Sequence, residues 1–259
     1  MVQKILTMRH FESVEDVFGK KWRFLFDKDG YRLEEEKDAN LPDQVSLVRK
    51  AGTTDRFESP LSCVGQIFAR LGARRFCELS ILRQKCTSQA VYSCPCMACL
   101  QTSCAMLKTL LLANVKKIRV EPGLADFRCT FDSTDSKAEE IRKVFGIDGK
   151  YQPVISKDSL KPNETIENFR ERHKLVMDSI IANQSTTTAI IVTHSANVIT
   201  HMHYFSKEPL DETTFKDKTK LGNSVIFAKK RNDVWKWKTI KQLKLTNPKN
   251  EKFPIHLWD

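Results

Sequence analysis

The sequence predicts an α/β fold: a mostly parallel central sheet with helices on both faces, in a single domain spanning residues 1–259. Three observations predict it. Short apolar runs rich in β-branched residues recur along the chain, amphipathic helical segments alternate with them, and two of the runs end in a histidine. Alternation of strand and helix calls for a parallel sheet covered on both sides. In such sheets ligands bind beyond the carboxyl ends of the strands, where those histidines fall.

Each element follows in order. Lys4 to Met8 reads as a buried strand, with Arg9 and His10 at its end. Val14 to Trp22 reads as a helix, and Tyr31 to Thr54, polar and containing Pro42, as a long loop. The spacing of Leu61, Val64, Ile67, Phe68 and Leu71 predicts an amphipathic helix over Pro60 to Leu71, with proline at its first position. Ala90 to Ser93 is a second strand, and Cys96 to Leu112 a helix with Leu100, Ala105, Leu107 and Leu111 at core positions. Lys117 to Val120 is a third strand, closed by Pro122-Gly123. Asn163 to Ala182 is helical, Ala189 to Thr193 is a fourth strand ending at His194, and Val198 to Tyr204 opens another helix. Ser224 to Lys229 and Val234 to Ile240 form a hairpin about Arg231-Asn232-Asp233.

Composition narrows the function classes. Hydrophobic residues make up 41% of the chain, too many for general disorder. Apolar runs such as Ala189 to Val192 are far too short to span a bilayer, so no membrane association is expected. Met1 to Arg9 has no long apolar region or cleavage site, which leads to the expectation of a cytoplasmic protein. The net charge is +11, spread along the chain and enriched from Lys207 to Lys252. This fits a solvated basic surface and anionic ligands; no nucleic-acid motif accompanies it, so no nucleic-acid partner is expected. Of eight cysteines, Cys94, Cys96, Cys99 and Cys104 crowd together. They lack the two separated knuckles of a structural zinc site and have no histidine nearby in sequence, so buried, reduced, metal-free thiols are expected.

The chemistry lies in Arg9-His10 and Thr193-His194. A neutral imidazole fixed in one tautomer can attack phosphorus, and an arginine fork matches phosphate oxygens. A second histidine can balance charge on the equatorial oxygens, while a carboxylic acid protonates the leaving group.

Several blocks in order carry a family resemblance. Arg9-His10-Phe11-Glu12-Ser13 with Val17-Phe18-Gly19-Lys20-Lys21-Trp22 resembles R-H-G-E-R…V-F-G-x-x-W. Asp38-Ala39-Asn40-Leu41-Pro42 resembles D-L-N-x-P, and Pro60-Leu61-Ser62-Cys63-Val64-Gly65 resembles P-L-T-x-x-G. The run from Val91 to Thr102 resembles V-Y-x-S-P-x-x-R-C-x-Q-T, and Ile118 to Leu124 resembles I-R-V-E-P-G-L. Ile191 to Ser195 is similar to a second-histidine strand, and Phe253 to Asp259 to an aromatic tail. In these blocks the chain resembles the histidine phosphatases of the phosphoglycerate-mutase-like class. The blocks are most similar to the phosphatase domains of suppressor of T-cell receptor signalling proteins and to ecdysteroid-phosphate phosphatases.

The resemblance implies His10 as nucleophile, Arg9 as its phosphate-binding neighbour, His194 as the second histidine and Asp126, where the family has glutamate, as proton donor. It makes Glu121 structural. It implies no cofactor and no metal, a phosphomonoester or phosphate-like anion as ligand, a protein partner or a homodimer. Ala98 and Ser13 stand where the family has phosphate-binding arginines, and Phe11 replaces a glycine. Two such losses cost on the order of 10³–10⁶ in rate if additive. The expected function is therefore a weak or inactive phosphatase acting in binding or regulation; the alternative is an active phosphomonoester hydrolase working through phospho-His10. Lys20, Lys21, Arg32 and Arg49 are the basic residues to examine for compensation. His201, His203, Trp22, Trp235 and Trp237 are expected to be structural, and His173 a solvated helix position.

Overall fold

Strand β1 (Lys4–Arg9) lies at the middle of a six-stranded sheet. The computed structural model describes residues 1–45, 59–78, 89–110, 117–127, 143–206 and 225–240. With β2 (Gln89–Ser93), β3 (Ile118–Val120), β4 (Thr188–Thr193), β5 (Val225–Arg231) and β6 (Val234–Thr239), the strand order is β3-β2-β4-β1-β5-β6. The four strands from β3 to β1 run parallel, while β5 and β6 are antiparallel. β4 is buried along its whole length, as a strand covered on both faces must be. At the sheet edge β6 alternates exposed and half-buried residues, with Trp235 and Trp237 packed on the core. The β5–β6 turn uses Asn232 and Asp233, both at positive φ (47° and 60°), the backbone that a two-residue hairpin loop requires.

The short helix α1 (Val14–Phe18) packs on the turn that follows it, while α2 (Cys63–Glu78), α3 (Met97–Leu110), α4 (Ile166–Ala182) and α5 (Ser195–Phe205) cover the sheet on both faces. α2 packs on α3, and α4 on α5. The region expected as one helix over Val14 to Trp22 is shorter: α1 stops at Gly19 (φ 75°), and a 3₁₀ turn follows over Trp22–Leu25. Trp22, Phe26, Leu41 and Val45 form a small second core there, so the early part of the expected loop packs locally. Its remainder, 46–54, lies outside the described residues, as do Leu111 and the tail from Phe253.

The second helix differs from expectation in start and in phase. Ser62 caps it, its Oγ accepting from Gly65 N at 3.0 Å, while Pro60 and Leu61 lie in an extended approach bridged to Ser13. The buried stripe is Gly65, Ala69, Gly72, Ala73 and Phe76, and Ile67 and Leu71 are more than half exposed. Close approach is the reason. A Cβ on Gly65 would stand 2.0 Å from the Glu12 carbonyl oxygen, so the packed face takes small residues and the large aliphatic ones turn outward.

Sheet register positions the site. β1 and β4 pair Met8 with Val192 and Arg9 with Thr193, so His10 and His194 leave the sheet side by side. β2 and β4 pair Ser93 with Val192, and Cys94 N donates to Val192 O at 3.0 Å. Three adjacent parallel strands thus deliver His10, His194 and Cys94 to one edge. Among the described residues, no helix is long and apolar enough to cross a membrane.

Candidate active site

His10 and His194 stand with ring centroids 5.1 Å apart at an interplanar angle of 75°, close enough to touch one phosphate. His10 Nδ1 lies 2.7 Å from the Phe11 carbonyl oxygen. A carbonyl accepts, so Nδ1 carries the proton and Nε2 keeps its lone pair. Burial, then the charges of Arg9 and His194, push the His10 imidazole down to about 3. The ring is therefore neutral at physiological pH, in the tautomer a nucleophile needs.

Arg9 ends β1 and is buried. Its Nη2 donates to both oxygens of Asp16, at 2.6 and 2.7 Å. Asp16 also accepts from Ser13 N at 2.8 Å, and Ser13 Oγ accepts from Asp16 N at 3.2 Å, which closes a reciprocal capping box on α1. Burial works against the Asp16 carboxylate, but the Arg9 guanidinium outweighs it and holds the acid at about 2.

His194 Nε2 lies 3.4 Å from Cys94 Sγ and 3.7 Å from Cys99 Sγ. Burial disfavours its charge, yet the Cys94 sulfur and the Asp126 carboxylate raise His194 above its ordinary value. Burial likewise opposes the Cys94 thiolate, but hydrogen bonding to Cys96 and Cys99 and the His194 charge bring it well below an ordinary thiol.

The family model for the histidine phosphatase superfamily (branch 1) matches residues 49–237, most of the chain. The chain belongs to this superfamily. Mouse ubiquitin-associated and SH3 domain-containing protein A is 34% identical over 204 residues, covering 74% of this chain and 31% of that protein. The Drosophila melanogaster ecdysteroid-phosphate phosphatase is 29% identical, covering 76% of this chain and 26% of its own length. The chain thus spans about a third or less of these curated relatives. Among solved structures, the Bombyx mori ecdysone phosphate phosphatase in complex with tungstate superposes with a TM-score of 0.65 at 19% identity, over 93% of each chain. This likeness carries the fold, including its phosphoglycerate-mutase-like character, which a Bacillus anthracis phosphoglycerate mutase shares at a TM-score of 0.50 and 15% identity over 93% of each chain.

Within the histidine phosphatase fold, Asp126 follows the 3₁₀ turn Pro122–Leu124 and lies near enough for its charge to act on His194 and Cys99. Its own Oδ1 accepts from Phe127 N at 2.9 Å. The turn is fixed from two sides. Buried Arg172 donates to the Gly123 and Ala125 carbonyls at 2.7 and 3.0 Å and forms a two-pronged pair with Glu164. Asn197 donates to the Leu124 and Ala125 carbonyls from the start of α5. Glu121 is buried and accepts from Gly123 N, Ile155 N, Val154 N and the Tyr151 hydroxyl, the structural role the resemblance implied.

Ala98, near the start of α3, is 4% exposed and packs in the main core, as does Phe11, which is fully buried. Ser13 is engaged as the α1 cap. Of the basic residues named for compensation, Arg32 is held by the Asp38 and Leu41 carbonyls and by Asp43 at 2.7 Å. Lys20 and Lys21 are exposed, and Arg49 lies outside the described residues. His173 is not solvated as expected: it is 1% exposed, with Nδ1 3.1 Å from His201 Nε2. Its neighbours in sequence are charged, but on a helix the inward face is set by Phe169, Val176 and Met177 at helical spacing. Sequence reasoning missed Asp16, Arg172, Glu164 and Asn197. The Ser13-to-Asp16 spacing, a capping-box signature, was the available signal for the first.

Proposed function

We propose that this protein binds phosphate-like anions in the pocket of Arg9, His10 and His194 and hydrolyses phosphomonoesters slowly or not at all. One observation supports this above the others. The guanidinium of Arg9 is already paired with the Asp16 carboxylate, and His194 Nε2 lies against Cys94 Sγ at 3.4 Å. A dianionic phosphoryl group gains most from donors whose charge is not already matched, and the transition state needs more of them than the ground state does. The positions that resemble family arginines hold Ala98 and Ser13, which supply no charge. The role is then recognition or regulation through a retained pocket.

A second reading is favoured by His10 alone. Its protonated Nδ1 is anchored on Phe11 O and its Nε2 is free to attack. In an active hydrolase, Nε2 would bond to phosphorus as the ester oxygen leaves and Asp126 would give that oxygen its proton; water, returning a proton to Asp126, would then attack phosphorus, release inorganic phosphate and restore the imidazole.

An aryl phosphate assay with His10→Ala as control, paired with tungstate titration by calorimetry, separates the two. Tungstate binding with turnover far below about 1 per second supports the proposal. Enzyme-like turnover that His10→Ala abolishes overturns it in favour of the second reading. Absence of both binding and turnover overturns both.

A further inference from the structure

Three elements place soft ligand atoms around one point beside the anion pocket, with His194 common to both. Cys94 follows β2, Cys99 sits in the first turn of α3, and His194 follows β4; all three side chains are buried. Their ligand atoms lie within 4.8 Å of one another. A metal was set aside on the sequence because no histidine lies near the cysteines along the chain. In the fold His194 supplies the nitrogen, brought there by the β2–β4 register.

The spacing can be tested against coordination geometry. Tetrahedral zinc takes sulfur at about 2.3 Å and imidazole nitrogen at about 2.0–2.1 Å, so an S···N edge is about 3.6 Å. The observed edges are 3.4 Å to Cys94 and 3.7 Å to Cys99. Cys96 Sγ contacts Cys94 Sγ at 3.1 Å but stands outside this three-atom cluster, so the fourth position falls to solvent.

The chemistry of the wall agrees with the geometry. In the pattern this segment resembles, S-P-x-x-R-C, Cys94 stands at the serine and Ala98 at the arginine. The same turn that gains a buried sulfur beside His194 therefore lacks the cation the pattern provides. Thiolate and imidazole donors together select a borderline-soft divalent ion over magnesium or calcium, which require oxygen.

The geometry points to a binding site for a zinc-class divalent cation held by Cys94, Cys99 and His194, with water at the fourth position. The site goes beyond the anion-binding reading, shares His194 with it, and does not depend on turnover.

The test uses the full chain, reduced and stripped with chelator, titrated with Co²⁺ and then Zn²⁺. One equivalent of Co²⁺ is expected to give thiolate-to-cobalt charge-transfer absorption and intense tetrahedral ligand-field bands, both removed by one equivalent of Zn²⁺. Cys94→Ser and Cys99→Ser should each weaken Zn²⁺ binding at least tenfold, whereas Cys77→Ser, on α2, should leave it unchanged. The wild-type cobalt spectrum reports sulfur ligation directly, even if a cysteine variant folds poorly. No stoichiometric uptake overturns the site, as does uptake without charge-transfer absorption. Uptake unchanged in folded Cys94→Ser and Cys99→Ser proteins also overturns it. Tungstate binding by the metal-free protein tests the anion reading separately.

Discussion

Arg9 Nη2 reaches both carboxylate oxygens of Asp16, at 2.6 and 2.7 Å, inside a buried pair. Asp16 is thus both the cap acceptor of α1 and the counter-ion of the pocket arginine. Asp16→Asn keeps an acceptor for Ser13 N but removes the charge. Breaking a buried pair from one side costs about 3 kcal/mol, because the remaining ion is left uncompensated. An oxyanion should restore part of this by binding the native state. The expected outcome is a lower urea midpoint in anion-free buffer and a larger recovery with tungstate than the wild type shows. Equal tungstate shifts in both proteins would mean that Arg9 does not face the anion.

Restoring the missing donors tests the proposed loss of activity. Ala98→Arg adds a guanidinium near the start of α3, and with Ser13→Arg it rebuilds the family pattern. One well-placed donor is worth roughly 10²–10³ in rate, so aryl phosphate turnover should rise by about that much with Ala98→Arg alone. The second change sacrifices the Ser13 cap and costs about 1 kcal/mol of stability. Because Phe11 is packed in the core, Phe11→Gly would also open a cavity there and is the less favourable route to more room. Turnover unchanged in a folded double variant would show that missing charge is not what limits the pocket.

The sheet and its two histidines were legible because strands announce themselves locally. β4 is β-branched at every position but Ala189, and a histidine directly follows it. The hairpin was legible in Asn232-Asp233 for the same reason. The phase of α2 was not. Ile67 and Leu71 fit the helical period, but the face that packs is decided by how closely α3 and the Glu12 backbone approach, which no local pattern records. The partners of the site residues were equally hidden. Cys94 and His194 are a hundred residues apart and meet only through the strand register, so the change in electrostatics they bring to each other appears only in the fold.

Gly65 tests the close approach directly. A Cβ there would meet the Glu12 carbonyl oxygen at 2.0 Å, and a backbone atom cannot swing away as a side-chain end can. Gly65→Ala should force α2 off the segment that carries Glu12 and Ser13, at about 3 kcal/mol despite alanine's better helix propensity. Urea denaturation measures the loss. A neutral or stabilising result would mean that α2 sits further from Glu12 than described.

His201 supplies the last expectation, on stability against acid. It is fully buried on α5, with Nδ1 3.3 Å from Thr7 Oγ1 and Nε2 3.1 Å from His173 Nδ1. Burial lowers its imidazole to about 3, whereas an unfolded histidine titrates near 6.5. Between those values the unfolded chain binds a proton that the folded chain refuses, so stability rises with pH across the window. The contribution is fully present above about pH 6.5 and is lost as pH falls toward 3, at about 1.4 kcal/mol per pH unit in mid-window. His173 is shifted the same way, first by burial and then by His201, and adds to the slope. His201→Gln removes one titrating group while keeping a polar side chain near Thr7 and His173. Urea midpoints followed from about pH 7 down to about pH 4.5 should therefore fall less steeply in the variant than in the wild type, by roughly one proton's worth. Parallel slopes in the two proteins would show that His201 takes up its proton without unfolding, and that the buried His173–His201 pair is not a source of acid sensitivity.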